Sequence, residues 1–341
     1  MEVEARESFS YFNSRSELAL VKEIGGYFEL ELSSNGSVFH DDAFTLNSAR
    51  NAFYWLLKTR KITKVFMPAF MCRVMLDPVL ALGVDYEFYG ITCDYELAKT
   101  LSLKDSEIVL YPNYFGLKGD YADTLANIYG EERVVYDCSQ SFYYRPSNNC
   151  ARIYSPRKFF GVADGAFMCD PFGVYDEGEL VPRSSYHRMT PLLGRVDEAA
   201  FRHYDSMKEN EGGLRYESLG RMSPLSYKIL DSIDYERARK VRVENYSALH
   251  SELRLLNEFT VGVTSSFAYP FRTKNAAGLR QFLIGRGIYV AYYWPEVCCD
   301  SSNLYPTDVF DETLFLPIDQ RYESADMLDV ANLIKSWARE V

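Results

Sequence analysis

Arg133-Val134-Val135-Tyr136-Asp137-Cys138-Ser139-Gln140, and then Ala151-Arg152-Ile153-Tyr154-Ser155-Pro156-Arg157-Lys158-Phe159-Phe160-Gly161 with Asp164-Gly165 after it, is the stretch that decides the fold of this chain. Each half opens as a short buried strand and ends in polar residues. An acid at the end of one strand and a lysine just past the next converge on one crevice, the place where open α/β sheets bind ligands. A carboxylate and an amine held there suit pyridoxal 5'-phosphate (PLP). The amine bonds the cofactor aldehyde, and the acid keeps the pyridine nitrogen protonated so that the ring draws electrons. Asp137 and Lys158 are therefore the candidate catalytic pair.

The same rhythm runs outward. Ser48 can cap a helix over Ala49 to Lys58. Lys64 to Met67 reads as a strand stopped by Pro68, a helix around Arg73 to Leu82 closes at Gly83, and Tyr86 to Tyr89 is the next strand. Ile108 to Tyr111 ends at Pro112-Asn113-Tyr114-Phe115-Gly116, and Asp120 to Tyr129 is a helix ended by Gly130. Strands alternating with helices predict a mostly parallel sheet with helices on both faces, an α/β fold. Pro171 to Gly220 reads as irregular connecting structure. Ser226 to about Leu256 reads as one long charged helix, followed by strands near Ser266 to Phe271 and Tyr289 to Tyr292. Helices near Ala276 to Arg286 and Ala325 to Trp337 complete a smaller α+β C-terminal domain. The expected division is an N-terminal segment 1–40 packing on the main body, a PLP-binding large domain 41–205, and a small domain 206–341.

The chain has 341 residues, with 47% apolar and 25% charged residues, the balance of a globular protein with a sizeable core. Its formal net charge is −11, and it has no Lys/Arg-rich run, so nothing favours nucleic acid as a partner. An anion can still be held where positive charge is focused, and Arg50, Arg157 and Lys158 are candidates. No apolar run approaches the roughly 20 residues that span a bilayer, and the N-terminus lacks an apolar signal core. A cytoplasmic protein with no membrane partner is expected. Seven cysteines without CxxC spacing read as free thiols, and the four isolated histidines carry no metal-ligand spacing, so no metal is assigned.

From about Glu23 to Trp337 the chain resembles the DegT/DnrJ/EryC1/StrS family of PLP-dependent sugar aminotransferases, which have the aspartate-aminotransferase fold (fold type I). Asp137-Cys138-Ser139-Gln140 resembles the family's Asp-x-x-Gln. Ser155-Pro156-Arg157-Lys158 with Asp164-Gly165 resembles its lysine motif, and Leu316-Pro317-Ile318-Asp319 its C-terminal Leu-Pro motif. Leu46 to Ala52 stands where the family has a Ser-Gly-Thr phosphate loop, and Arg221-Met222-Ser223 is similar to the entry into its long helix. The chain departs at Ile153 (a serine in the family), at Ala49-Arg50 (Gly-Thr), at Phe142 (often His), and at the aromatic that covers the cofactor ring, where Cys72 stands with Phe70 nearby.

The resemblance implies roles. Lys158 would carry the cofactor and shuttle a proton, Asp137 would pair with the pyridinium, and Gln140 would bond the phenolic oxygen or flank the ring. Ala49, Arg50 and Asn51 open a helix whose free N–H groups and dipole favour phosphate, Ser155 can add a hydroxyl, and Phe70 is the candidate ring cover. The implied reaction passes nitrogen from an amino donor, usually glutamate in this family, to a keto sugar on a nucleotide, in polysaccharide or glycoconjugate synthesis. A homodimer is the implied assembly. Sugar dehydration is a second chemistry, against which Lys158 argues, because relatives that do it replace the lysine. A non-catalytic member that keeps the fold for binding is the alternative that the departures leave open.

Overall fold

The computed structural model describes residues 25–259, 265–294, 304, 306 and 310–340. The chain divides into residues 1–33 and 34–341. Of the first unit only 25–33 are described; they form neither helix nor strand, and Gly25 and Gly26 adopt left-handed φ values of 93° and 92°. The expected N-terminal segment 1–40 thus lies largely outside the described residues, as do Cys298 and Cys299.

The second unit is built on a seven-stranded sheet of order β1-β7-β6-β5-β4-β2-β3. The strands are β1 (Phe44–Leu46), β2 (Lys64–Pro68), β3 (Asp85–Tyr89), β4 (Glu107–Pro112), β5 (Val134–Asp137), β6 (Ala151–Tyr154) and β7 (Ala166–Cys169). Neighbours from β3 through β6 are parallel, and β7 runs against both β6 and β1. The sheet is the mostly parallel one the sequence predicts, with an antiparallel strand that the sequence reading does not contain. β4 is buried along its whole length, as a central parallel strand covered on both faces must be. β3 begins with three exposed residues, which suits an edge.

Alternation sends each strand's side chains to two cores. Phe66, Val109, Tyr111, Val134, Tyr136 and Tyr154 join one core with α3 (Gly119–Tyr129). Val65, Met67, Ile108, Leu110, Val135 and Ile153 join the other with α1 (Ala49–Thr59) and α2 (Asp77–Leu82). In α1, Ser48 caps by accepting from the Asn51 N–H, and Phe53, Trp55, Leu56 and Leu57 are buried. Each such large apolar side chain contributes about 1.5–3 kcal/mol of burial. The helix expected over 73–82 is instead a 3₁₀ turn, Arg73–Met75, followed by α2, because Pro78 sets a new helix start. Gly83 closes α2 at φ 64°, a left-handed position that favours glycine.

The stretch 171–220 is more helical than its sequence suggests. It contains α4 (Thr190–Asp197) and α5 (Tyr204–Arg215). The single long helix expected from Ser226 is two helices, α6 (Pro224–Asp231) and α7 (Tyr235–Leu253), and Asp234 caps the second by accepting from the Arg237 N–H. A third core joins α7 with the antiparallel pair β8 (Tyr269–Arg272) and β9 (Thr313–Leu316), α8 (Ala276–Ile284) and α9 (Ser324–Glu340). Where a strand over Tyr289 to Tyr292 is expected, there is only an isolated bridge from Ala291 to Phe315.

Candidate active site at the carboxyl edge of the sheet

β1 lies antiparallel to β7, and β7 antiparallel to β6, so β1 points the same way as β6 and its parallel neighbours. Helix α1 follows β1, so its N-terminus comes to the edge where the parallel strands end; α1 packs over β6 and β7. Asp137 is the last residue of β5, in register with Pro112 of β4 and Ile153 of β6. By alternation it shares the α1 face with Val135. The lysine turn, Pro156–Lys158, leaves that edge from β6. Gly165, just beyond it, donates its N–H to the carbonyl of Asn47, immediately before the α1 cap, at 2.9 Å. The sheet thus brings the acid, the lysine turn and the start of α1 to one edge.

The Asp137 carboxyl is buried, with one oxygen accepting from the Ser139 N–H at 2.9 Å. Gln140 is 4% exposed; its Oε1 accepts from the Phe115 N–H at 3.3 Å, and its Nε2 has no partner among the described residues. Asn113, at the end of β4, has the same arrangement. Its Oδ1 accepts from the Lys118 N–H at 3.0 Å, its Nδ2 has no partner among the described residues, and its backbone N–H donates to the Asp137 carbonyl. An orphaned buried donor costs about 1–3 kcal/mol unless a ligand or water accepts from it. Lys158 is exposed, and Ser155 is buried at the start of its turn without making a capping bond.

At the start of α1, Arg50 donates to the Arg215 carbonyl, and its Nε lies 3.8 Å from Asp77. Arg215 grips Asp77 with two bonds of 2.9 Å. Burial lowers the Arg50 guanidinium below its ordinary value, with Asp77 opposing and Arg215 and Arg157 adding repulsion. Arg157 pairs with Glu211. Guanidinia thus gather at a helix N-terminus whose first N–H groups lack intrahelical acceptors. Asn51 is committed elsewhere: its side chain donates to Asn47 Oδ1 at 2.9 Å and to the Glu217 carbonyl at 3.1 Å. Phe70 is committed too. Its ring stacks on Phe310 at 4.2 Å in the core opposite α1, with Trp294 at its edge.

Two residues carry no sequence signal. His40 is buried, stacks on Tyr154 at 3.8 Å, and its Nε2 donates to the Phe142 carbonyl. Burial pulls its pKa to about 3. Arg242, on α7, is 1% exposed and lies 4.6 Å over the Phe159 ring. Burial lowers its pKa to about 10. The Asp164 carboxylate, 0% exposed, accepts from the Ser223 N–H and Oγ and from Ser226 Oγ, which ties the lysine motif to Arg221-Met222-Ser223. A cavity of about 990 Å³ walled by Phe201, Tyr204, Tyr289 and Arg280 is lined by none of the Asp137 or Lys158 groups. Among the described residues there is no cluster of metal-ligating side chains, no helix long and apolar enough to cross a membrane, and Cys72, Cys93, Cys138, Cys150 and Cys169 are free.

No family model and no curated protein matches the chain. Solved structures do. The sugar aminotransferase CalS13 of Micromonospora echinospora superposes with a TM-score of 0.61 at 15% identity, covering 87% of both chains. A DegT DnrJ EryC1 StrS aminotransferase of Brucella abortus gives 0.60 at 16% identity, covering 88% of this chain and 86% of its own. The PLP form of a sugar aminotransferase, Spr1654 of Streptococcus pneumoniae, gives 0.59 at 13% identity over 87% of each chain. At such identities the likeness establishes the fold: a fold type I α/β architecture shared with sugar aminotransferases along most of its length.

Proposed function

We propose that this protein is a PLP-dependent aminotransferase acting on a keto sugar. The observation that carries the reading is that Asp137, the Lys158 turn and the start of α1 come to one carboxyl edge, with the unpartnered amide of Gln140 three residues beyond Asp137. These residues fit the cofactor. Gln140 Nε2 is a buried donor lacking an acceptor, and a phenolic oxygen is one. The α1 N-terminus with Arg50 offers N–H groups and positive charge to a phosphate.

When bound, PLP supplies an electron sink that weakens bonds at the amino carbon. The chain's own groups do the rest. Asp137 holds a proton on the ring nitrogen by a charge-assisted bond. Lys158, exposed on the turn that leaves the carboxyl edge, would provide the amine that anchors the cofactor and would afterwards move a proton at the substrate carbon. Gln140 orients the ring, and Ala49, Arg50 and Ser155 hold the phosphate. With Phe70 stacked away in the opposite core and Asn51 bonded to Glu217, neither is assigned a cofactor contact. Glutamate as donor, a nucleotide carrier on the sugar, a role in glycoconjugate synthesis, a cytoplasmic setting and a homodimer complete the proposal; the solved sugar aminotransferases with this fold support it.

A second reading, binding without catalysis, is favoured by one observation: Arg50 is already held by Arg215 and Asp77. One experiment separates the two. Purified protein given PLP should turn yellow, bleach with an amino donor and recover with a keto-sugar acceptor. Borohydride should fix the cofactor to Lys158, and Lys158→Ala should abolish the adduct. Protein that stays colourless, or an adduct that persists in Lys158→Ala, rejects the aminotransferase reading. Sedimentation should give a dimer; a monomer with full activity rejects that part.

A further inference from the structure

The turn that carries Lys158 is a single 3₁₀ turn, with the Phe159 and Phe160 N–H groups both donating to the Pro156 carbonyl at 2.9 Å. Such a turn has poor hydrogen-bond geometry and little stability of its own. Besides the Arg157–Glu211 pair, what holds it comes from 80 and more residues downstream. The Arg242 guanidinium lies over the Phe159 ring at 4.6 Å, and its Nε donates to Gln320 Oε1 at 3.1 Å. Gln320 Nε2 in turn donates to the Phe159 carbonyl at 2.7 Å. The triangle closes: guanidinium to ring, guanidinium to amide, amide to the carbonyl of the same residue. Both ends of the Gln320 amide are satisfied, which fixes its orientation. One turn along α7, Asn245 Nδ2 donates to the carbonyls of Ile318, Asp319 and Tyr322 at 3.3, 3.3 and 3.0 Å, pinning the segment that bears Gln320.

A buried arginine is a poor way to add stability, since replacing a buried charge network with packed apolar groups is often neutral or stabilising. Two of its contacts, the Phe159 ring and Gln320, lead to one residue, the neighbour of Lys158; a third, longer bond runs from its Nη1 to the Phe267 carbonyl at 3.4 Å. We infer that Arg242 and Gln320 are positioning residues for Lys158: they clasp the Phe159 peptide and ring from behind and so fix the direction in which the lysine leaves its turn. The inference rests on the reading of Lys158 as the reactive amine. It also gives the Leu316-Pro317-Ile318-Asp319 stretch a task, delivering Gln320 to the lysine turn.

Hydrogen exchange of the full-length protein without added cofactor tests the clasp. Gln320→Met removes both bonds, whereas Gln320→Glu keeps the acceptor for Arg242 and removes the donor to Phe159. In both, exchange across Pro156–Gly161 should quicken about five- to tenfold while α3 is unchanged. Arg242→Lys, which keeps the charge and loses the planar stack, should fall between them and the native chain. In the same variants, borohydride trapping of PLP on Lys158 should slow while the melting temperature of Gln320→Glu stays near native. Unchanged exchange in both Gln320 variants, or quickening spread equally over α3, overturns the clasp. If exchange behaves as expected but native protein traps no PLP, the clasp stands and the functional reading fails.

Discussion

At the scale of the residue, the site is a set of side chains whose polar atoms are half used. Asp137 has one oxygen held by the Ser139 N–H, and Gln140 spends its carbonyl and leaves its amide unpartnered. In the proposed reading, Asp137→Asn loses a charge-assisted bond to the cofactor. PLP affinity should then fall about 10- to 100-fold, the equivalent of roughly 1.5–3 kcal/mol, as read by absorption titration; an affinity within twofold of native rejects the pairing. His40 makes a prediction independent of function. Its pKa is lowered from 6.5 to about 3, so the unfolded chain binds the proton first as pH falls. The stability that the neutral ring provides is complete above pH 6.5 and is lost as pH drops towards 3. By pH 5 the loss is about 2 kcal/mol, which urea unfolding at pH 7 and pH 5 measures. In His40→Gln that increment should vanish.

At the scale of the element, the motifs are ends of strands and starts of helices stitched together. Asp164 joins the lysine segment to the cap of α6, and Asp164→Ala strands the Ser223 N–H and the Ser226 hydroxyl, while the Ser223 hydroxyl keeps Ser185 Oγ at 2.6 Å. A loss of at least about 2 kcal/mol is expected in denaturant unfolding. Gly165 sits at φ 130°, and a Cβ there would meet Met222 Cε at 2.9 Å. Gly165→Ala should cost about 1–3 kcal/mol in backbone strain alone, seen as a lower melting temperature. Strands β2, β4, β5 and β6 are legible in the sequence because buried parallel strands are short apolar runs stopped by Pro68, Asn113, Asp137 or Ser155-Pro156. β7 escapes that reading: Gly165 and Asp170-Pro171 bound Ala166-Phe167-Met168-Cys169, but four apolar residues without alternation carry no period to mark a strand. α5 escapes too: of its twelve residues only Leu214 is buried, so no apolar stripe announces it. The acid and the lysine are legible because each ends a strand. Gln320 and Arg242 are not, because 78 residues separate partners that only the folded chain unites.

At the scale of the molecule, the described residues of 34–341 combine two sheets and three cores, and the candidate site draws on segments from residue 47 to residue 320. That span explains why the departures from the family pattern could be seen in the sequence while their neighbours could not. Arg50 is plainly an arginine where the family has a small residue, but its tie to Arg215 appears only when α5 is folded back on α1. The edge strand β1 adds a consequence in time. Phe44 pairs with Met168, so the first strand made has no partner until the last strand of its sheet exists. At synthesis rates of about 5–20 residues per second, β1 waits roughly 6–25 s, with the apolar face of α1 lacking its seat on β6 and β7. Nascent chains halted before Cys169 should therefore be protease-sensitive through α1, and chains halted well beyond it resistant. The order in which the ribosome releases the strands, more than their stability once assembled, sets how long the apolar face of α1 stays uncovered.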